Sequence, residues 1–129
     1  MHPPCELVVK YVLPAFRSLI AKELIETHDF SQVAAAKKLR ITQAAISHYL
    51  YSKRGNKQMK LLESVPLIRS SAREFAEKIA GEKMSQEEAM LKFCEICMAL
   101  RRQEVICKLH RELVTLPPAC DLCSPSQRP

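Results

Sequence analysis

Six cysteines in 129 residues are the part of this chain with obvious chemistry, and five of them crowd into its last third. Their spacing is Cys-x2-Cys-x9-Cys-x2-His-x9-Cys-x2-Cys, formed by Cys94, Cys97, Cys107, His110, Cys120 and Cys123. Thiolates two residues apart lie within one turn of backbone of each other, so both sulfurs can reach one metal centre. Four thiolates serve a tetrahedral zinc or an iron–sulfur cluster equally well, and five with a nearby His exceed what one zinc needs. Cys107, Cys120 and Cys123 with either Cys97 or Cys94 would make four; Cys97 lies nearer the helix end and so nearer Cys107. His110 reads as a hydrogen-bonding neighbour, and Pro117 and Pro118 stiffen the approach to the last pair. Two other uses of the same residues compete: incidental thiols buried in a helix, and a catalytic dithiol, which lacks the βαβ context it would need. Cys5 stands almost ninety residues from the others and reads as a small buried hydrophobe.

These cysteines need elements to hold them. Ser85-Gln-Glu-Glu88 is a capping box, which opens a helix over about Gln86 to Arg102. Phe93, Ile96 and Leu100 share one face of it, and Cys94 and Cys97 lie on the neighbouring face with Met90 and Arg101. Beyond, the chain loses regularity through Leu116–Cys120 and ends in a polar, proline-containing tail, disordered by composition over 124–129.

A second constellation is SQVAAAKKLRITQAAISHYLY, from Ser31 to Tyr51. Ser31 can cap a first helix, with Phe30 before it as a hydrophobic staple. Ala35, Ala36 and Leu39 form its inward stripe. Arg40-Ile41 makes a turn, and Thr42 caps a second helix. That helix puts Ala45, Ile46, Tyr49 and Leu50 inward and leaves Gln43, Ala44, Ser47, His48 and Tyr51 outward. Small Ala35 and Ala36 allow the close backbone approach that two helices crossing steeply over so short a turn require.

This stretch resembles the helix-turn-helix of the phage-repressor and Cro-like (XRE) DNA-binding regulators. The matching residues are Gln32, Ala36, Leu39, Ile41, the run Thr42 to Ser47, and Tyr49; Arg40 departs, standing where that family usually has Gly. The resemblance implies that the second helix enters the major groove with its N-terminal residues on base edges. Gln43 carries an amide able to bond an adenine edge bidentately, Ser47 and His48 can bond bases or phosphates, and Ala44 can touch a thymine methyl. Gln32, Thr42 and Tyr51 complete the expected DNA-binding set, with Lys53, Arg54 and Lys57 in the following polar loop as phosphate contacts. An amphipathic helical hairpin with no DNA role is the competing interpretation.

Charge favours DNA. Residues 1–60 hold ten Lys/Arg against four Asp/Glu, whereas residues 61–129 hold ten against ten, so the whole surplus of +6 sits on the first half. Between Asp29 and Glu63 there is no acidic residue. Such a surface suits phosphate binding and counterion release.

The remaining elements support these two regions. Residues 1–13 are a short apolar run of ambiguous type, and Pro14 fits the first turn of a helix. Phe16, Leu19, Ile20, Ala21 and Leu24 then repeat at helical spacing as far as His28, which ends that helix. Met59, Leu61 and Leu62 suggest a short closing helix. Ser64-Val65-Pro66 starts the next, and Gly81 is placed just past its end. Its stripe of Ile68, Ala72, Phe75 and Ile79 wants a partner, either this domain's own core or the same helix of a second subunit. Because helix-turn-helix regulators usually read two half-sites as dimers, a homodimer or higher homo-oligomer is expected through that helix.

With two glycines, no Trp and few β-branched runs, the expected fold is all-α: a compact helix-turn-helix bundle followed by a helical cysteine-rich module. The expected divisions are 1–63 for the DNA-binding domain, 64–84 for a connecting or dimerisation helix, 85–123 for the metal-binding module and 124–129 for the tail. No apolar stretch approaches the ~20 residues that span a bilayer, and the N-terminus lacks the pattern of a secretory signal. A cytoplasmic location is therefore expected, where thiols stay reduced.

Taken together, residues 1–123 resemble predicted archaeal regulators in which an XRE-type helix-turn-helix precedes a cysteine-rich segment assigned to an iron–sulfur cluster. The similarity rests on PCELVVKYVLPA, SQVAAAKKLRITQAAISHYL and CEICMALR…CKLHREL…CDLC. It implies a [4Fe–4S] cluster rather than zinc, and a transcription regulator that senses redox state, oxygen or iron while bound to double-stranded DNA. The alternatives are a constitutive DNA-binding protein with a structural zinc site, and a cysteine-based oxidoreductase whose basic half binds acidic protein or RNA. No catalytic residue is singled out, and an enzyme is not expected.

Overall fold

The computed structural model describes residues 3–51 and 57–113, and every element among them is helical. The chain runs α1 (Pro4–Leu7), a π-helical turn (Val8–Val12), α2 (Leu13–Thr27), α3 (Gln32–Leu39) and α4 (Gln43–Tyr51). It continues with α5 (Lys57–Glu63), α6 (Pro66–Ala80), α7 (Gln86–Arg102) and α8 (Val105–Leu113). The all-α expectation holds.

Helix does not begin at Pro14 as expected; it begins at Pro4 and passes through Pro14. A proline inside a helix cannot donate to the carbonyl four residues back, and its ring crowds that carbonyl. The chain meets this by widening just upstream: the Leu13 N–H bonds the Val8 carbonyl, five residues back. A π turn of this kind absorbs the misfit without ending the helix. Burial supplies the reason to continue, since Leu7, Val8 and Val12 on this stretch all lie in the core.

Helix α2 is the axis of that core. Ala15, Phe16, Ile20, Ala21 and Leu24 are buried along it, and α3, α4, α5 and α6 all pack against it. Its most extensive partner is α6, whose Ile68, Ala72 and Phe75 are buried while Ile79 is half-buried against the same cluster. The α6 stripe is therefore spent on this chain's own core, which corrects the expected subunit contact. The Phe16 ring meets Phe75 edge-on at 4.9 Å between centroids and Phe93 of α7 at 5.5 Å. One side chain thus ties α2 to α6 and α7, across the divisions expected at 63/64 and 84/85.

Helix α7 has the bounds expected of it, with Ser85 Oγ accepting the Glu88 N–H at 3.1 Å. Helix α8 falls within the cysteine-rich module expected to be helical, although its bounds were not legible in the sequence. Ile106 and Leu109 are fully buried, and the helix packs on α7 and α1. Its nine residues are too few to be stable alone, so packing holds it.

Among the described residues, four non-glycine residues take left-handed backbone at inter-helix joints: Asp29, Arg40, Glu82 and Glu104. A chain with two glycines has little choice. Gly81, placed past α6 as expected, instead has φ −85°, and the left-handed turn falls one residue later.

Candidate nucleic-acid interface

The α3–α4 pair is defined at each end by local bonds. Ser31 Oγ accepts the Ala34 N–H at 3.1 Å, satisfying one donor that α3 cannot satisfy itself. At the other end the Ile41 N–H returns to the Ala36 carbonyl at 3.0 Å and the Arg40 N–H to Lys37 at 3.3 Å. That closure needs Arg40 in the left-handed region, at φ 54° and ψ 43°. The turn therefore closes through a left-handed Arg40, a conformation that glycine adopts without strain. Arg40→Gly is accordingly expected to raise the unfolding free energy by about 1 kcal/mol. Thermal denaturation followed by circular dichroism reads this directly, and an unchanged or lowered midpoint would show that Arg40 contributes more than its backbone costs.

Thr42 then caps α4, its Oγ1 accepting the Ala45 N–H at 3.1 Å. Ile46 is fully buried and Ala45, Tyr49 and Leu50 are half-buried beneath the helix. Gln43, Ala44, His48 and Tyr51 are exposed, with Ser47 half-buried among them. Residues 43, 44, 47, 48 and 51 recur at helical spacing and make one stripe along α4. Nine residues give α4 a length of about 13 Å, matched to a major groove about 12 Å wide. Gln32 at the start of α3 donates its Nε2–H to the Tyr51 hydroxyl at 3.3 Å. This bond brings the first residue of the pair and the last to a common edge beside the stripe.

The cations are less concentrated on this face than their number suggests. Lys37, Lys38 and Arg40 line a cleft towards α6 and α7, and Lys38 Nζ lies 3.3 Å from Glu82 Oε1. Part of the positive surplus therefore points away from α4. Lys53 and Arg54 lie outside the described residues, and Lys57 opens α5 instead of sitting in a loop.

The cysteines are distributed over two helices. Cys94 and Cys97 lie on α7, Cys107 and His110 on α8, while Cys120 and Cys123 lie outside the described residues. Cys94 is exposed and borders the α2–α7 cleft; Cys97 is half-buried against the core. Cys107 is half-buried and His110 is buried on α8. Among the described residues no group of three or more His, Cys, Asp or Glu side chains could hold a metal ion. In donor type, thiols on two mutually packed helices fit a soft metal centre; its remaining ligands would have to come from Cys120 and Cys123. Cys5, expected to be buried, is exposed on α1.

Sequence reasoning missed Arg17 of α2 and Glu82, which border the cleft with Lys37 and Lys38. The Lys38–Glu82 contact joins residues 44 apart in the chain, so no local pattern signals it. No family model, curated protein or solved structure matches this chain. Among the described residues no helix is long and apolar enough to cross a membrane.

Proposed function

We propose that this chain is a sequence-specific DNA-binding transcription regulator that reads duplex DNA through α4 and carries a [4Fe–4S] centre on its cysteine segment. The observation that supports it is the α4 stripe. Gln43, Ala44 and His48 face solvent on a helix fixed by Ile46 beneath and by Thr42 at its start. In this reading Gln43 bonds an adenine edge, Ala44 touches a thymine methyl, and Ser47 and His48 bond bases or phosphates. Gln32 and Tyr51 at the edge position the helix on the backbone, which fixes register without reading sequence. A dimer reading two half-sites would use a surface other than the buried α6 stripe.

Cys97 and Cys107, with Cys120 and Cys123, would hold the centre, which would supply one-electron redox chemistry and sensitivity to oxygen or iron. For ligation to alter DNA binding it must stabilise one arrangement of α7–α8 over another. Phe93 of α7 touches Phe16 of α2, and α2 packs on α3 and α4, so such a difference has a packed route to the reading helices.

Purified without oxygen, the protein is expected to retard mixed-sequence duplex DNA at low ionic strength and to contain about four irons with matching sulfide. One colourless zinc per chain would replace the sensor by a constitutive DNA-binding protein with a structural metal. Neither retardation nor bound metal would overturn the proposal.

A further inference from the structure

We propose that the cleft between α2 and α7 binds an amphipathic monoanion, a carboxylate on an unbranched apolar chain. The cavity is about 920 Å³, within the range that small-molecule sites occupy. Phe16, Ile20 and Phe75 form its base but are already buried, so the apolar surface that an alkyl chain would cover comes from half-buried Leu39, Ile79, Met84 and Phe93. Val9 and Met90 also line it, each 64% exposed, and supply apolar surface to the upper part of the same chain.

Among the described residues, the charged groups on the cleft are Arg17, Lys37, Lys38 and Arg40 against Glu82. Four cations and one carboxylate leave three positive charges beside an apolar cavity. Glu82 is already engaged by Lys38 at 3.3 Å. Three of the cations come from one place, the last turn of α3 and the joint after it, so the cleft is polarised. An anionic head there gains charge-assisted hydrogen bonds, while its tail lies along Phe93, Ile79 and Met90. A neutral alkane would forgo the first contribution and a small inorganic anion the second. Binding here does not depend on DNA recognition. An occupant would nevertheless touch Lys37, Leu39 and Arg40, immediately before the Thr42 cap that orients α4.

The test uses the full chain and displacement of the fluorescent anion 1-anilinonaphthalene-8-sulfonate. Dodecanoate is expected to displace the dye saturably, and about tenfold more tightly than dodecyltrimethylammonium, the matched cation. Arg17→Gln and Lys37→Gln remove rim charge without touching the buried core and should each weaken dodecanoate by up to about tenfold. Ala89→Phe fills the cleft from α7 and should weaken both amphiphiles, with circular dichroism checking that the fold survives. Equal affinity for the two amphiphiles, displacement by inorganic phosphate as effective as by dodecanoate, or indifference to both rim substitutions would overturn the proposal.

Discussion

Phe16→Ala will lower the free energy of unfolding by about 3–5 kcal/mol, a large share of the roughly 5–15 kcal/mol that holds a domain together. The ring is 3% exposed and meets Phe75 and Phe93 at 4.9 and 5.5 Å, so its loss leaves a cavity bordered by three helices. Each aromatic pair contributes about 0.5–1.5 kcal/mol beyond the area buried. Urea unfolding followed by far-ultraviolet circular dichroism measures the total. The informative quantity is the coupling of Phe16 to Phe93, because it spans the boundary expected between the DNA-binding half and the cysteine half. A double-mutant cycle with Phe93→Ala should give a coupling of about 0.5–3 kcal/mol. Additive single losses, or two separate unfolding transitions, would show that α7 folds independently of α2.

The parts of this fold legible in the sequence are those set by short-range chemistry. Ser31, Thr42 and Ser85 each cap a helix through a hydroxyl accepting an N–H three residues on, and α7 has the bounds its capping box implies. The two faces of α4 follow from spacing alone. What local pattern could not decide was which surface meets which. The stripe Ile68–Ile79 looks the same whether it faces α2 or a second copy, and burial on α2 settles it. Proline at 14 argued for a helix start, yet burial of Val8 and Val12 outweighs the lost bond once a π turn accommodates the ring. The count of cations was legible but not which surface they share: Lys38 turns towards Glu82, and Arg17, Lys37, Lys38 and Arg40 all border a cleft. Cysteine spacing named a donor set, but spacing carries no distances, and two of its members lie beyond the described residues.

Gln43→Ala will separate a reading helix from an incidental one. Gln43 is exposed at the first position of α4, immediately after the Thr42 cap, where a helix docked in the major groove presents side chains to base edges. A bidentate amide–adenine contact discriminates by about 1–3 kcal/mol. On duplexes selected from a random pool by the wild-type protein, affinity should fall by that amount, roughly five- to 150-fold. On scrambled duplex at the same salt it should scarcely change. The salt dependence should be preserved on both, since an uncharged side chain releases no counterions. Thr42→Ala is the contrasting variant: losing the cap costs about 0.5–2 kcal/mol of helix stability and should weaken both sequences together. Equal losses from Gln43→Ala on selected and scrambled DNA would leave Gln43 only positioning the helix, and no loss on either would place the DNA on a surface other than α4.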